Sequence, residues 1–307
     1  MGAFLLRRLA LAVFVVFVVT LLVAWAIRLS GDPAMMLADG AGSITEQDLR
    51  NIRAALGLDR PFTAQYLGFI GGMLRGDMGH SFMGGTPVAR MVAQALPLTL
   101  LLAFLSLGVS LLASIPLGVQ AAVHRGGWAD QTIRIISLIG LSFPNFWLAI
   151  MMVLVFSIAL GWLPPSGAGS LSALVMPVLT MATILTATNV RLVRTAMLET
   201  LSAQYITVAR SKGLAETVVL YRHALRNCAI PLITYIGLQF GGLIGGVVVV
   251  ERVFNWPGMG SLAFDAVAAR DYPVLQAVVT VLAAMIVAVN LLVDIVYGLV
   301  DPRVRTE

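Results

Sequence analysis

The segment RLVRTAMLETLSAQYITVARSKGLAETVVLYRHALRNCAIP, residues 191–231, is a polar stretch between long apolar runs. Its charged residues and its histidine are Arg191, Arg194, Glu199, Arg210, Lys212, Glu216, Arg222, His223 and Arg226. Apolar side chains nevertheless recur at steps of three and four, at Met197, Leu201, Tyr205, Val208 and Ala209. Because this spacing places them on one face of an α-helix, the first part of the segment is predicted to be an amphipathic helix.

Gly213 interrupts this helical pattern. Helices commonly end in a residue with a left-handed backbone, a conformation that glycine adopts without steric cost. The residues after it, Leu214–Leu225, predict a second short helix. Two short amphipathic helices that meet at a glycine between membrane spans indicate an element that docks a soluble partner.

The composition of the chain excludes an ordinary soluble protein. Its 307 residues are 59% hydrophobic and 11% charged, whereas about 25% of residues are charged in soluble domains. Because a helix of about 20 apolar residues crosses a membrane, we predict an all-α polytopic membrane protein. Its six transmembrane helices are predicted at Leu9–Ile27, Leu96–Val123, Ile135–Leu160, Leu171–Val190, Ile230–Val250 and Val274–Val300.

The distribution of positive charge orients these spans. The N-terminus, the 124–134 loop, the 191–231 segment and the C-terminal tail together hold 12 of the 20 Arg and Lys residues. Since cytoplasmic loops carry the excess of Arg and Lys, both termini are predicted to be cytoplasmic. The net charge of +5 follows from this topology, and nucleic-acid binding is not predicted.

The stretch between the first two spans is predicted to be an extracytoplasmic insertion of two or three short helices. Ser43 or Thr45 is placed to cap a helix through Leu56. Pro61–Leu74 predicts another helix, and the glycine-rich residues 71–87 predict irregular structure. The predicted organisation is a first transmembrane helix in 1–28, the insertion in 29–95, a five-helix core in 96–300 that contains the 191–231 loop, and a cytoplasmic tail in 301–307.

Several motifs resemble one family of membrane proteins. The run YITVARSKGL (205–214), then HALRN (223–227) and Pro231, is similar to the coupling loop of ABC importer permeases for dipeptides, oligopeptides, nickel or glutathione. The broader class has Glu-Ala-Ala, three residues, Gly, nine residues and Ile-x-Leu-Pro; this chain has Thr-Val-Ala at 207–209 and His-Ala-Leu-Arg at 223–226. LGLDRP (56–61) and QYLGFIGGMLRGDMGHSF (65–82) resemble the first, B-type, permease subunit.

The resemblance implies a type I ABC importer permease fold in a bacterial cytoplasmic (inner) membrane. It implies a subunit that translocates di- or oligopeptides by alternating access, with glutathione or nickel complexes as alternative substrates. The implied partners are a homologous second permease in a heterodimer, two ABC ATPase subunits, an extracytoplasmic substrate-binding protein and membrane lipid. The sequence has no Gly-x-x-x-x-Gly-Lys-Ser/Thr phosphate loop. The chain is therefore expected to be no enzyme by itself and to bind no cofactor, with ATP and Mg²⁺ on the partner subunits.

The 191–231 segment is expected to transmit the closure of the ATPases as a rigid body. Ala209 would let the first helix approach a groove closely, Gly213 would form the corner, and Arg210 with Lys212 would pair with acidic residues of the partner. The residues expected to couple to the ATPases are Tyr205, Ala209, Arg210, Lys212, Gly213, Leu214, His223 and Arg226. The alternative is a solvated loop with ordinary cytoplasmic charges.

Polar residues within the spans form a second group of candidates. They are costly against lipid and therefore line a water-filled pathway or make hydrogen bonds between helices: Asn145 with its neighbour Phe146, Asn189 and Asn290. Pro144 would break the helix beside Asn145 and free backbone groups. On the extracytoplasmic side, NWPGMG (255–260) and RDYP (270–273) also resemble the family, and they suggest contacts with a binding protein or a gate through Asn255, Trp256, Pro257, Arg270 and Asp271.

Two other classes of function stay open. An ion-coupled secondary transporter usually has internal repeats and ionisable residues at mid-membrane, and neither is visible. A non-transporting membrane scaffold is the other alternative. The one cysteine, Cys228, and the three dispersed histidines do not have the spacing of metal ligands, so no metal site is predicted.

Overall fold

The computed structural model describes residues 2–29, 31–32, 34–35 and 45–300. Within these ranges the chain is helical, with turns between the helices and one isolated β-bridge from His80 to Pro87. The predicted tail at 301–307 and the alternative cap Ser43 lie outside the described residues. We number the described α-helices α1 (Gly2–Leu29), α2 (Glu46–Ala55), α3 (Phe62–Leu74), α4 (Val88–Val123), α5 (Trp128–Ser142), α6 (Asn145–Met152), α7 (Leu171–Leu201), α8 (Gln204–Ser211), α9 (Leu225–Val253), α10 (Met259–Ala268) and α11 (Tyr272–Val300). Two π-helical segments, Val153–Ala159 and Val218–Ala224, extend α6 and precede α9.

Among the described residues, four helical segments are long and apolar enough to cross a membrane: Leu6–Leu29, Val88–Val123, Leu171–Leu201 and Tyr272–Ile295. The count is six if each of two bent helix pairs is one span, which agrees with the six spans predicted from the sequence. The second bend lies within α9, where Tyr235–Leu243 and Val247–Val253 meet at 45°.

The predicted third span, Ile135–Leu160, is not a continuous helix. α5 and the helix that begins at Asn145 meet at 97°. Phe143 has an extended backbone, with φ −94° and ψ 128°, because the ring of a following proline disfavours the helical conformation in the residue before it. The break that Pro144 indicated is therefore confirmed, and the span starts earlier than predicted, at Trp128.

The chain divides into two compact units. The first joins the described residues up to Thr99 with Pro257–Leu291. Its apolar core comes from the beginning of α4, from α10 and from the beginning of α11, and includes Val88, Val92, Met259, Val274, Ala277 and Val278. The predicted cap is confirmed at Thr45, whose hydroxyl accepts from Asp48 N–H in a capping box at the start of α2.

Side-chain hydrogen bonds tie the insertion to the helices of its unit. Tyr66 of α3 and Thr20 of α1 share a hydrogen bond of 2.8 Å between their hydroxyl groups. The Ser81 hydroxyl donates to the carboxylate of Asp271, and the Phe82 N–H donates to the same carboxylate at 3.2 Å. The irregular stretch after α3 is thereby fixed to the turn that precedes α11.

The second unit comprises Leu100–Trp256 and the end of α11 from Leu292. Helix α7 packs against α5, α6 and α9. It also lies close to α4 at Gly118, where a Cβ atom would come within 2.6 Å of the Cβ of Val193. Small residues allow such close approach of membrane helices. α7 is thus the central helix of this unit.

A buried ion pair joins α5 to α7. The Asp130 side chain is 1% exposed, and its carboxylate accepts from Arg194 Nε at 2.6 Å and from Arg194 Nη2 at 2.7 Å. Gly126 N–H adds a third hydrogen bond at 3.0 Å. Two parallel bonds of this kind are among the strongest contacts of a carboxylate, so they fix the 124–127 turn against α7.

Loss of this ion pair is expected to destabilise the protein. Arg194→Gln would leave the Asp130 carboxylate buried without its partner, at a cost of about 3–5 kcal/mol for such a group. The control is Arg50→Gln, because Arg50 lies 3.9 Å from Glu46 in a pair whose side chains are 66% and 94% exposed, and exposed pairs contribute about 0–1 kcal/mol. Thermal unfolding in detergent should show a large drop for Arg194→Gln, partial recovery in Asp130→Asn/Arg194→Gln, and almost no change for Arg50→Gln. Equal melting temperatures for Arg194→Gln and the wild type would contradict this role.

Candidate functional site

The 191–231 segment forms a sharp corner between α7 and α9. α7 ends at Leu201, α8 runs from Gln204 to Ser211, and the chain turns at Gly213. The predicted left-handed backbone of Gly213 is confirmed by its φ of +73°. The predicted separate helix at Leu214–Leu225 is wrong, because the π-helical turns Val218–Ala224 continue without a break into α9. The sequence between Val218 and Leu225 contains neither Gly nor Pro, so nothing ends the helix there.

The inner face of α8 is embedded in the second unit. Ile206 is 0% exposed and Ala209 is 7% exposed, and both belong to a buried cluster with Met197, Val219 and Ala224. The expectation that Ala209 approaches a groove on a partner is therefore wrong. Its small side chain instead allows α8 to lie close to the core of its own chain.

An ion pair closes the corner on its outer side. Arg210 donates from Nη2 to Glu216 Oε1 at 2.6 Å and from Nε to Oε2 at 3.2 Å. The guanidinium lowers the pKa of Glu216, and the carboxylate raises the pKa of Arg210. The pair is thus formed at neutral pH and is lost only as the pH falls through the lowered pKa of Glu216. Arg210 thus spans Gly213 within its own chain, and the expected contact with an acid of a partner stays a prediction.

The outward-facing surface of the corner combines apolar and basic side chains. Tyr205, Val208 and Leu214 are 44%, 48% and 40% exposed, and Lys212 and Gly213 are exposed between them. Exposed apolar groups that a rigid element holds are suited to contact another protein. We call Tyr205, Val208, Lys212, Gly213 and Leu214 the docking corner.

The two remaining residues expected to couple to the ATPases lie on the π-helical turns and on α9. His223 is half-buried, and its backbone carbonyl accepts from Asn227 Nδ2 at 2.7 Å. Arg226 is exposed at one side of a cavity of about 330 Å³ that is otherwise mainly apolar. Asn189, expected from the sequence to line a pathway, borders the same cavity.

Asn189 makes an interhelical hydrogen bond. Its side chain is 1% exposed, and Nδ2 donates to Ser110 Oγ of α4 at 3.0 Å. The sequence offered two roles for Asn189, and its amide nitrogen has the second one, a hydrogen bond between helices. Oδ1 is buried and has no hydrogen-bond partner among the described atoms.

The other residues expected to line a pathway lie on two different helices, α6 and α11. Asn145 is half-buried at the first position of α6, after the break at Pro144, and Phe146 is 51% exposed. Asn290 is half-buried in α11. The roles of these residues stay predictions.

The proposed extracytoplasmic contacts separate into exposed and buried side chains. Trp256 is 1% exposed and Asp271 is 4% exposed. Asp271 binds the Ser81–Phe82 turn, so neither side chain is available to a binding protein in this conformation. Asn255 and Pro257 are exposed and Arg270 is half-buried. Asn255 and Arg270 also have positive φ values of 47° and 52°, which are uncommon outside glycine and mark shaped turns.

The sequence analysis did not single out Val208, Glu216 or the Asp130–Arg194 pair. Val208 was assigned to the helix pattern, and its neighbours Ile206 and Ala209 prove to be the buried positions of α8. Glu216 was counted only as a charge, although an acid six residues after Arg210 across a glycine could have suggested the pair. Asp130 and Arg194 are 64 residues apart, and no local pattern connects them. Among the described residues, no group of three or more His, Cys, Asp or Glu side chains is arranged to hold a metal ion.

Comparison with known protein families shows which family this chain matches. Residues 114–306 match the model of the binding-protein-dependent transport system inner membrane component, and residues 1–103 match that of the N-terminal part of such membrane components. The chain is 38% identical over 303 residues to the glutathione transport system permease protein GsiC of Escherichia coli, with 98% of each chain covered. It is 40% identical over 317 residues, covering both chains completely, to a putative peptide transport system permease protein of Brucella abortus.

Solved structures support the same fold. Two inward-facing crystal forms of the MetNI methionine ABC transporter contain a chain that matches 69% of this protein and is itself matched over 96% of its length. The TM-scores are 0.59 and 0.60, at 18% and 20% sequence identity. The predicted all-helical ABC importer permease fold and the inner-membrane location are thus confirmed. The chain belongs to the family of binding-protein-dependent transport system inner membrane components and is a permease subunit of an ABC importer.

Proposed function

We propose that this permease imports short peptides, and that the docking corner couples it to ATPase subunits. The observation that carries the coupling role is the construction of the corner. An eight-residue helix is marginal by itself in water, yet α8 is held by two buried side chains on one face and by an ion pair across Gly213. Such an element moves as a rigid body with the core of its unit.

The proposed partners follow from the family and from the surfaces of the chain. Membership of a binding-protein-dependent system implies ATPase and substrate-binding partners. In this proposal two ATPase subunits hold ATP and Mg²⁺, and this chain carries no catalytic residue. Tyr205, Val208 and Leu214 enter a groove of the ATPase, and Lys212 supplies a positive charge at its edge.

The relatives support a peptide-like substrate. One is named for glutathione and the other for peptides, and glutathione is itself a tripeptide. We therefore propose di- and oligopeptides as the cargo, glutathione as the first alternative and nickel complexes as the second. The bound peptide would be selected mainly by the binding protein. Asn189 Oδ1 is a buried acceptor without a partner among the described atoms, and in this proposal it binds a peptide N–H once the helices around it separate during transport.

A face of α9 supports a heterodimer with a second permease. Leu238 and Val249 are 62% and 41% exposed. Gly242 and Gly245 lie between them at helical spacing, are exposed, and have no neighbour within 4 Å of an added Cβ. Gly237 differs, because a Cβ there would overlap Val293 of α11. Glycine faces allow membrane helices to pack closely, so the open part of this face is the proposed contact with the second permease.

The proposal as a whole is tested by purification and uptake. The tagged chain, purified in mild detergent from its native host, is expected to bring with it two ATPase subunits and one homologous permease. Proteoliposomes that contain this complex, with the binding protein outside, should accumulate a radiolabelled tripeptide only when ATP is enclosed in the lumen, on the side that the ATPase subunits face. Competition by glutathione and by a nickel chelate ranks the alternative substrates. Purification of the chain alone, or uptake driven by an ion gradient without ATP, would refute the proposal.

The Gly213 corner provides a graded test of coupling. Since a Cβ at Gly213 meets nothing within 4 Å, substitution acts only through the left-handed backbone, at about 1–2 kcal/mol for an ordinary residue. We expect Gly213→Val to reduce ATP-dependent uptake by about tenfold and Gly213→Asn to keep most of it, because asparagine tolerates this backbone. Gly161→Val is the matched control, since Gly161 has φ +65° and equally open surroundings but lies outside the corner. Normal uptake by Gly213→Val at wild-type membrane levels, or an equal loss in Gly161→Val, would count against coupling.

The α9 face makes a separate prediction about assembly. Gly242→Phe should prevent co-purification of the second permease, because the bulky ring holds the helices apart. Gly108→Phe in α4 is the control, since Gly108 also has no neighbour within 4 Å of an added Cβ and lies on another helix. Quantitative mass spectrometry of the purified complexes measures the ratio of the two permeases. An unchanged ratio in Gly242→Phe would show that the partner binds elsewhere.

A further inference from the structure

Three arginines converge in a pocket where α5 and α7 meet. A cavity of about 270 Å³ is lined by Arg134, Arg191, Arg194 and Thr195. Arg194 is neutralised by Asp130. Arg134 and Arg191 are exposed, and neither forms an ion pair with a carboxylate in the part of the chain that the structure describes. The pocket therefore presents two uncompensated guanidinium groups to an anion.

An apolar cleft adjoins this pocket along both helices. On α5, Ile133 lines the cleft and the next residue, Arg134, lines the pocket. On α7, Val190 lines the cleft and the next residue, Arg191, lines the pocket. The cleft encloses about 300 Å³, and its walls include Leu117, Ile136, Gly140, Leu179, Thr183 and Ala187. Along α7 it extends from Leu179 to Val190, about 17 Å at 1.5 Å per residue. That length is close to half of the hydrocarbon core of about 30 Å, which is the depth of one leaflet.

The surrounding side chains place the pocket at the level of the lipid headgroups. Trp128, at the start of α5, is 81% exposed, and exposed tryptophans are enriched at the membrane–water interface. Ile135, Ile136 and Ile139 of the same helix are 57%, 64% and 52% exposed, as expected for side chains that face acyl chains. The arginines thus lie between a polar boundary and an apolar wall, on the side that the charge distribution assigns to the cytoplasm.

We propose that this pocket and cleft bind one anionic glycerophospholipid of the cytoplasmic leaflet. Arg134 and Arg191 hold the phosphate, because guanidinium groups match phosphate oxygens with paired hydrogen bonds, and one acyl chain occupies the cleft. The Thr195 hydroxyl already donates to the Arg191 carbonyl at 3.0 Å, so recognition of charge rests on the arginines. Basic pockets between transmembrane helices on the cytoplasmic side suit acidic headgroups.

The charges favour a lipid over a protein helix as the occupant. An apolar helix seated in the cleft would cover Arg134 and Arg191 and leave two buried charges without partners, which is strongly unfavourable. A free phosphate would satisfy the arginines and leave the cleft unfilled. An anionic lipid satisfies both parts of the site with one molecule.

The test compares variants of the intact permease complex by lipid binding. Arg134→Gln/Arg191→Gln removes the two uncompensated charges and keeps Arg194 with Asp130. Arg7→Gln/Arg125→Gln is the control, since it removes the same charge from two other exposed arginines on the predicted cytoplasmic side. Thr183→Phe fills the cleft without touching the arginines. The complexes are titrated in mild detergent with dioleoylphosphatidylglycerol, dioleoylphosphatidylcholine or inorganic phosphate, and native mass spectrometry counts the bound molecules.

We expect one phosphatidylglycerol to bind tightly to the wild type and to the control, and phosphatidylcholine to bind much more weakly. The affinity should fall about thirtyfold in Arg134→Gln/Arg191→Gln, equivalent to about 1 kcal/mol for each arginine, and it should also fall in Thr183→Phe. Melting temperatures without lipid that match the wild type show that the variants are folded. The proposal is overturned by equal phosphatidylglycerol binding in the double variant and the control, by equal binding of phosphatidylcholine, or by inorganic phosphate that competes fully with the lipid. Retained binding in Thr183→Phe would overturn the place of the acyl chain.

Discussion

The burial of Ile206 and Ala209 is the constraint on which the docking corner depends. Helix α8 has two turns, and a helix of this length has little stability of its own in water. It persists because these two side chains enter the cluster formed by α4, α7, the π-helical turns and α9. Any displacement of α8 must therefore carry the inner ends of these helices with it, since breaking the contact would expose apolar surface. A force applied to Tyr205 or Val208 on the other face is transmitted by packing.

Two buried polar contacts of the second unit each join two different helices. Asp130 binds Arg194 across α5 and α7, and Asn189 binds Ser110 across α7 and α4. Because unpaired polar groups are costly away from water, these bonds specify how the helices are aligned as well as holding them together. Arg194 and Asn189, one partner from each contact, lie on α7, the helix that leads to the docking corner. The Asn189 carbonyl oxygen is buried and has no hydrogen-bond partner among the described atoms.

The sequence predicted what depends on composition and on single residues. Six apolar segments, the cap at Thr45, the left-handed Gly213 and the break at Pro144 are each determined by local chemistry, and the structure agrees with them. The sequence could not predict which face of a helix is buried and which is exposed. In α8 apolar side chains occupy both the exposed positions, Tyr205 and Val208, and the buried ones, Ile206 and Ala209, so hydropathy does not separate the two faces, and Ala209 was assigned to the wrong one. Asp271 was assigned to a partner from its family motif and its external position, whereas the groups that it binds, Ser81 and Phe82, belong to the same chain but lie about 190 residues away, and no local pattern connects them.

Helix α7 supports the docking corner on one face and the proposed lipid pocket on another. Val193, Ala196 and Met197 face the cluster that holds α8, while Arg191, Arg194 and Thr195 face the arginine pocket. These two sets of positions alternate within two turns of α7. If α7 rotates or tilts together with α8, the distance from Arg191 on α7 to Arg134 on α5 therefore changes as well. The Asp130–Arg194 pair limits that change, because it fixes one point of α7 against α5. In these two proposals the lipid and the ATPase subunits act on the same helix at adjacent points, and a phosphate bound between α5 and α7 would resist the movement that the docking corner imposes.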